Sequence, residues 1–116
     1  MRLAGEGKLL RIFLGEVDKH KHTPLYEAIV LKAREQGLAG ATVLRGIQGY
    51  GADSNIIHKA KILRLSEDLP IVVEVIDTED KIRDFLPILN DMIEAAGCGA
   101  MVTMEKAEIL RYTPGK

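Results

Sequence analysis

The sequence predicts an α+β fold: an antiparallel sheet of four strands with two helices on one face, in the order strand, helix, strand, strand, helix, strand. Three observations carry that expectation. Short runs rich in Ile, Leu and Val recur at four places, and two longer stretches between them space apolar residues three and four apart. Each of those two stretches opens on Thr and stops on Gly.

Lys8-Leu9-Leu10-Arg11-Ile12-Phe13-Leu14, closed by Gly15, forms the first strand, and the polar stretch Glu16 to His22 is its exit loop. Thr23 then offers an N-cap hydroxyl and Pro24 suits the first helical position. Leu25, Ala28, Ile29 and Ala33 follow at helical spacing up to Gly37. Ala41-Thr42-Val43-Leu44-Arg45 is the second strand and runs into a glycine cluster. From Ala52 to Leu69 the text is polar and mixed, and Lys59 to Leu65 fits a short strand or a helical turn equally well.

Pro70-Ile71-Val72-Val73-Glu74-Val75-Ile76-Asp77 is the clearest strand, with Pro at its first residue, where the missing N–H matters least. Thr78 caps the second helix, with Glu79 and Asp80 in its first turn. Ile82, Phe85, Leu86, Leu89, Ile93 and Ala96 make one apolar face ending at Gly97. Pro87 sits inside that pattern and predicts a kink near Arg83 to Pro87. Met101-Val102-Thr103-Met104 is strand four, with Ala107, Ile109 and Leu110 continuing it toward Tyr112. Two β-α-β halves in this order are the ferredoxin-like split arrangement, expected as one domain over 1–116. Strands one and three read as apolar on both faces, so the sheet face away from the helices calls for burial against other subunits.

With 47% hydrophobic and 4% aromatic residues and no Trp, the 116-residue chain builds one core, and builds it from aliphatic side chains. Its 16 basic and 17 acidic residues leave a net charge of -1, which does not favour nucleic acid. The two Phe and three Tyr are also too few for an RNA-binding sheet. The lone Cys98 and the absence of an N-terminal apolar run point to a reducing, cytoplasmic setting.

The glycine cluster Gly46-Ile47-Gln48-Gly49-Tyr50-Gly51 is the most unusual local feature. Three glycines at a strand end allow positive φ and a close backbone approach to phosphate or to an adenine edge; a bulged strand end and turn explains them equally well. The cluster matches neither the P-loop nor the dinucleotide-binding pattern. A second pair, Gly97 and Gly99, flanks Cys98 before strand four, and Gly99 exceeds what a helix cap needs. Lys59, Lys61, Arg64, Arg45 and Arg111 are candidate anion partners if they share a location. Glu67, Asp68 and Asp77 are candidate acids, or residues of a solvated loop and a strand-end turn. No catalytic triad or carboxylate dyad emerges. His20 and His22, with Glu16, Asp18 and His58, have metal-ligand chemistry but also suit a solvated loop. No metal is expected.

The segments Leu25-Tyr26-Glu27-Ala28-Ile29-Val30, Gly40 to Gly46, Gly49-Tyr50-Gly51 and Ser66-Glu67-Asp68-Leu69-Pro70 together resemble a bacterial and archaeal family of uncharacterised PII-like proteins. The resemblance runs from strand one to Tyr112. PII proteins proper look like more distant relatives, sharing Gly-x-Thr-Val, the Gly-aromatic-Gly turn, the Pro opening strand three and Gly-x-Gly before strand four. The resemblance implies a non-enzymatic homotrimer that binds an adenine nucleotide (ADP, AMP or ATP) in clefts between subunits. Its loop, here 52–69, would report the ligand to a transporter, channel or enzyme partner. Carried over residue by residue, Thr42, Gly49, Tyr50 and Gly51, with Ile76 as an apolar wall and Gly97 and Gly99, surround the nucleotide, and Arg111 approaches its phosphates.

The chain departs from PII in having Ala52 and Asp53 after Gly-aromatic-Gly and Ala100 after Gly-x-Gly, which removes much of the triphosphate grip. A ligand with fewer phosphates, or another adenosine-like molecule, therefore stands level with ATP. From Thr42 to Gly49 the spacing is one residue longer than in PII, an excess that a bulge at Thr42 would absorb. Two other functions share the fold: a metal-binding trimer of the copper-tolerance type using His20 and His22, and an acylphosphatase-like hydrolase. The second suffers because the glycine motif follows strand two and no Arg follows Gly51.

Overall fold

The computed structural model describes residues 4–52 and 68–115. Strand β1 is Gly5–Gly15, followed by a small hairpin of β2 (Lys19–His20) and β3 (Thr23–Pro24), helix α1 (Leu25–Glu35) and β4 (Gly40–Arg45). The second half is β5 (Pro70–Asp77), helix α2 (Glu79–Ala96) and β6 (Met101–Ile109). The sheet order is β4-β5-β1-β6, with all three pairings antiparallel. This is the predicted ferredoxin-like βαββαβ arrangement. Each half returns its second strand one position beyond the other half's first, which splits both β-α-β units.

Alternation along the strands decides which face packs. Leu10, Ile12 and Leu14 of β1 and Ile71, Val73 and Val75 of β5 are buried against the helices. They meet Leu25, Ile29 and Ala33 of α1 and Ile82, Phe85, Leu89 and Met92 of α2. The helical residues recur at three and four, which sets one stripe of each helix on the sheet. Met92, which the predicted face of α2 did not include, joins the buried stripe, whereas the predicted Leu86, Ile93 and Ala96 lie at its half-buried margin.

The ends of the helices follow their local chemistry. Gly37 adopts φ +79, and the Gly37 and Leu38 amides donate to the Arg34 and Ala33 carbonyls, so α1 closes in a Schellman motif. Helix α2 starts on Thr78, whose Oγ1 accepts from the Lys81 amide, and stops on Gly97 at φ 67. It runs unbroken across Pro87. In its first turn the Arg83 hydrogen bond, then the Lys8 charge, holds the Glu79 carboxyl below its ordinary range.

The start of α1 corrects the sequence reading. Thr23 does not cap the helix; it pairs with His20 in the hairpin, and Pro24, with extended ψ 134, takes the cap position without a side-chain bond. The Leu25 amide is met instead by the Asp18 carbonyl at 2.8 Å. The predicted exit loop is thus partly a hairpin, turned by Lys21 and His22 at φ 49 and 74. Two positive φ values in a two-residue turn match the strand twist but are costly for residues with a Cβ. Replacing Lys21 and His22 together by Asn-Gly is expected to raise stability by about 1–2 kcal/mol, measured by denaturant unfolding. An unchanged midpoint would count against strain in this turn.

A second correction concerns Thr42. The β4–β5 ladder runs without interruption from Gly40 opposite Ile76 to Arg45 opposite Ile71, so no bulge displaces Thr42. Lys59 to Leu65, with His58, falls outside the described residues. Among those described, no helix is long and apolar enough to cross a membrane.

Candidate functional site

The glycine bend is built around Pro70. Its first residue, Gly46, donates its amide to the Pro70 carbonyl at 2.7 Å, and a Cβ on Gly46 would stand 2.9 Å from Pro70 Cγ. Gly49 sits at φ +146, where a Cβ would again face Pro70 Cγ, at 3.4 Å. Two glycines are therefore required here for different reasons, close approach at Gly46 and positive φ at Gly49. The fold turns the bend outward, leaving Ile47 92% and Tyr50 80% exposed, and a Cβ on Gly51 would meet nothing.

The strand end beneath it is sewn to its neighbours. The Glu16 amide donates to the Leu69 carbonyl at 2.9 Å, the Val17 amide to Asp68 Oδ1 at 3.1 Å, and the Gly15 amide to Asp18 Oδ2 at 2.9 Å. Arg45 Nη2 donates to Glu16 Oε2 at 2.6 Å across this junction.

The eight residues picked from sequence fall into separate groups. Thr42 and Ile76 are diagonal neighbours on the sheet face away from the helices, since Thr42 lies opposite Glu74 and Gly40 opposite Ile76. Gly49, Tyr50 and Gly51 lie beyond the end of β4, on one edge of the sheet. Gly97 and Gly99 precede β6 at the same end but on the other edge, three strand spacings or roughly 14 Å away. Arg111 follows β6 at the opposite end, where its Nε donates to Thr113 Oγ1 at 2.9 Å and the next residue's Tyr112 hydroxyl reaches the Ala39 carbonyl at 3.4 Å. One chain does not gather all eight. A groove of about 370 Å³ between α1 and β4, lined by Val30, Ala33, Arg34 and 38–41, contains none of them.

The face away from the helices carries features the sequence reading missed. Cross-strand register aligns Leu44, Val72, Phe13 and Met101 in one apolar row, with Leu44 and Met101 exposed. Beside it runs Thr42, Glu74, Arg11 and Thr103, so this face is apolar with a charged centre rather than apolar throughout. Arg11 Nε donates to Glu74 and Nη1 to Glu105, both at 3.0 Å. The Glu74 hydrogen bond chiefly raises the Arg11 pKa, so this guanidinium stays charged. A lone Arg in the apolar run 9–14 was the available signal. Asp77, at the other end of β5, is wholly buried and accepts from the Ala39 and Thr78 amides, which assigns it to the strand-end turn. Of the metal candidates, His22 is exposed, and His20 Nδ1 is buried without a hydrogen-bond partner among the described residues. No group of three His, Cys, Asp or Glu suited to a metal occurs among the described residues.

The strand order, the glycine bend and the half-open sheet define a PII-like ferredoxin fold. Solved structures that share it include a Thermus thermophilus protein assigned to PII-like signalling (TM-score 0.63, 18% identity, 95% of this chain and 94% of that one), and CPII from Thiomonas intermedia, bound to ADP, AMP and acetate (TM-score 0.62, 19% identity, 96% and 94%). Within that class the chain belongs to the DUF190 family, described as "Uncharacterized ACR", whose model matches residues 7–109. It is 42% identical over 103 residues to a UPF0166 protein of Aquifex aeolicus (89% of this chain, 92% of the relative). A UPF0166 protein of Methanocaldococcus jannaschii is 37% identical over 92 residues (79% and 83%).

Proposed function

We propose that this chain is a non-enzymatic regulator of the PII type. It assembles as a homotrimer in the cytoplasm, binds an adenine nucleotide in the clefts between subunits, and passes that signal through residues 52–69 to a transporter, channel or enzyme. The observation that carries the reading is the separation of the glycine bend from Gly97 and Gly99. They sit at one end of the sheet on opposite edges, so a cleft made of both requires the β4 edge of one copy near the β6 edge of another. The apolar row on the open face supplies a reason for copies to associate. CPII, on the same fold, was solved with ADP and AMP, which supports this class of ligand.

The open bend suits the nucleoside part: backbone amides and the exposed Tyr50 ring can meet a base edge and face without a large cationic cradle. Regulation then requires only that the ligand favour one arrangement of 52–69 over another. Isothermal titration of the intact protein with AMP, ADP and ATP tests the reading. Gly49→Val is expected to weaken binding about tenfold or more, because a β-branched residue at φ +146 must move the bend; Gly99→Val tests the second turn. Absence of binding to any of the three at millimolar concentration would overturn the assignment.

A further inference from the structure

We propose that the Glu16–Arg45 ion pair sets how much phosphate charge the glycine bend accepts, with Arg45 as the phosphate-reading residue and Glu16 as its built-in competitor. The inference rests on the proposed nucleotide site and adds its specificity determinant. Arg45 is the last residue of β4, directly before Gly46, and the Gly46–Pro70 and Glu16–Leu69 backbone hydrogen bonds fix the two strands that carry the pair. Both side chains therefore start from held positions.

Three features give the pair this role. Arg45 is the single cation among residues 15–18, 44–52 and 68–70, against three acids, Glu16, Asp18 and Asp68. Asp18 and Asp68 accept backbone amides of Gly15 and Val17, whereas Glu16 is turned to Arg45. The Arg45 side chain is 57% exposed and meets Glu16 through Nη2, a pairing that uses one of its five N–H donors. A guanidinium at the root of a glycine bend is suited to a phosphate oxygen, and an exposed ion pair is weak enough to be exchanged.

A phosphate arriving at the bend must take Arg45 from Glu16 and then sit near the remaining carboxylates. Each added phosphate meets more repulsion with no further cation among these segments. The bend therefore prefers a ligand of low phosphate charge, with AMP at least as tight as ADP and ATP weakest. Glu16→Gln keeps the shape and removes the competing charge. It should tighten AMP and ADP by roughly three- to fivefold, the scale of one exposed ion pair, and leave adenosine unchanged. Arg45→Ala should bring AMP and ADP down to the affinity of adenosine.

The experiment is calorimetric titration of adenosine, AMP, ADP and ATP into wild type, Glu16→Gln, Arg45→Ala and the double variant, each checked for native circular dichroism. The proposal expects the Glu16→Gln gain to vanish when Arg45 is also replaced. A gain that persists in the Arg45→Ala background, one that extends to adenosine, or a wild-type preference for ATP overturns this inference while leaving the nucleotide site standing. Failure of all four ligands to bind wild type removes the site itself and this inference with it.

Discussion

Asp77→Ala is expected to cost about 2–4 kcal/mol of stability, which for a domain of this size lowers the melting temperature by on the order of 10–20 °C. Asp77 closes β5 on the helix side of the sheet, with none of its surface exposed. One carboxylate oxygen accepts from the Ala39 amide at 2.9 Å and the other from the Thr78 amide at 2.6 Å. The first bond holds the turn that delivers β4; the second holds the residue that caps α2. Alanine leaves both donors facing a space that water enters only by loosening the turn, so each bears its own desolvation cost. Asp77→Asn retains one acceptor of nearly the same shape and should lose less. Urea unfolding gives the stability, and amide exchange at Ala39 and Thr78 locates the damage. A loss below about 0.5 kcal/mol, within the range of ordinary surface substitutions, would show that these bonds are replaced by others.

The same residue shows how far the sequence carries. Pro70 to Asp77 was legible as a strand to the residue, because β-branched side chains fill it and Pro and Asp punctuate its ends. That Asp77 would be the wholly buried acid among the described residues was not, since the acceptor it provides serves an amide 38 residues away, in a turn whose position only the packed fold defines. Helix α2 was read correctly at both caps because Thr78 and Gly97 act on their own neighbours. Thr23 failed for the opposite reason. It has the chemistry of a cap, but the tight turn at Lys21 and His22 pairs it with His20, and Lys-His is not a turn signal of the kind Asn-Gly is.

The candidate site was less legible than the fold for a topological reason. Glycines stand out in a sequence wherever they occur, so the bend at 46–51 and the pair at 97 and 99 were both visible. Their separation across four strands is a property of strand order, and it changes what they can mean: within one chain they are two unrelated turns. Arg11 was visible too, as a charge inside an apolar run. Its partners Glu74 and Glu105 come from the flanking strands, and only the register brings both carboxylates to the one guanidinium.

That set leads to the largest effect expected on assembly. Phe13→Glu should convert the proposed trimer to folded monomers, seen in sedimentation velocity as a threefold drop in mass with native circular dichroism retained. Phe13 lies at the centre of the Leu44, Val72, Phe13, Met101 row, on the face opposite the core residues Ile12 and Leu14, so the change leaves the helix-side packing intact. Arg11 can enter an interface because Glu74 and Glu105 already meet it; a carboxylate at position 13 has no such partner in its row. Burying it unpaired costs about 3–5 kcal/mol, and a threefold assembly meets that cost in every subunit. Leu31→Glu, on the 57% exposed side of α1, is the matched control and should leave the mass unchanged. If the clefts between copies form the nucleotide site, Phe13→Glu also abolishes AMP and ADP binding, although Phe13 is not among the residues assigned to the ligand. A Phe13→Glu protein that keeps the wild-type mass would place the assembly surface elsewhere. A monomer that still binds nucleotide with wild-type affinity would return the glycine bend to a site complete within one chain.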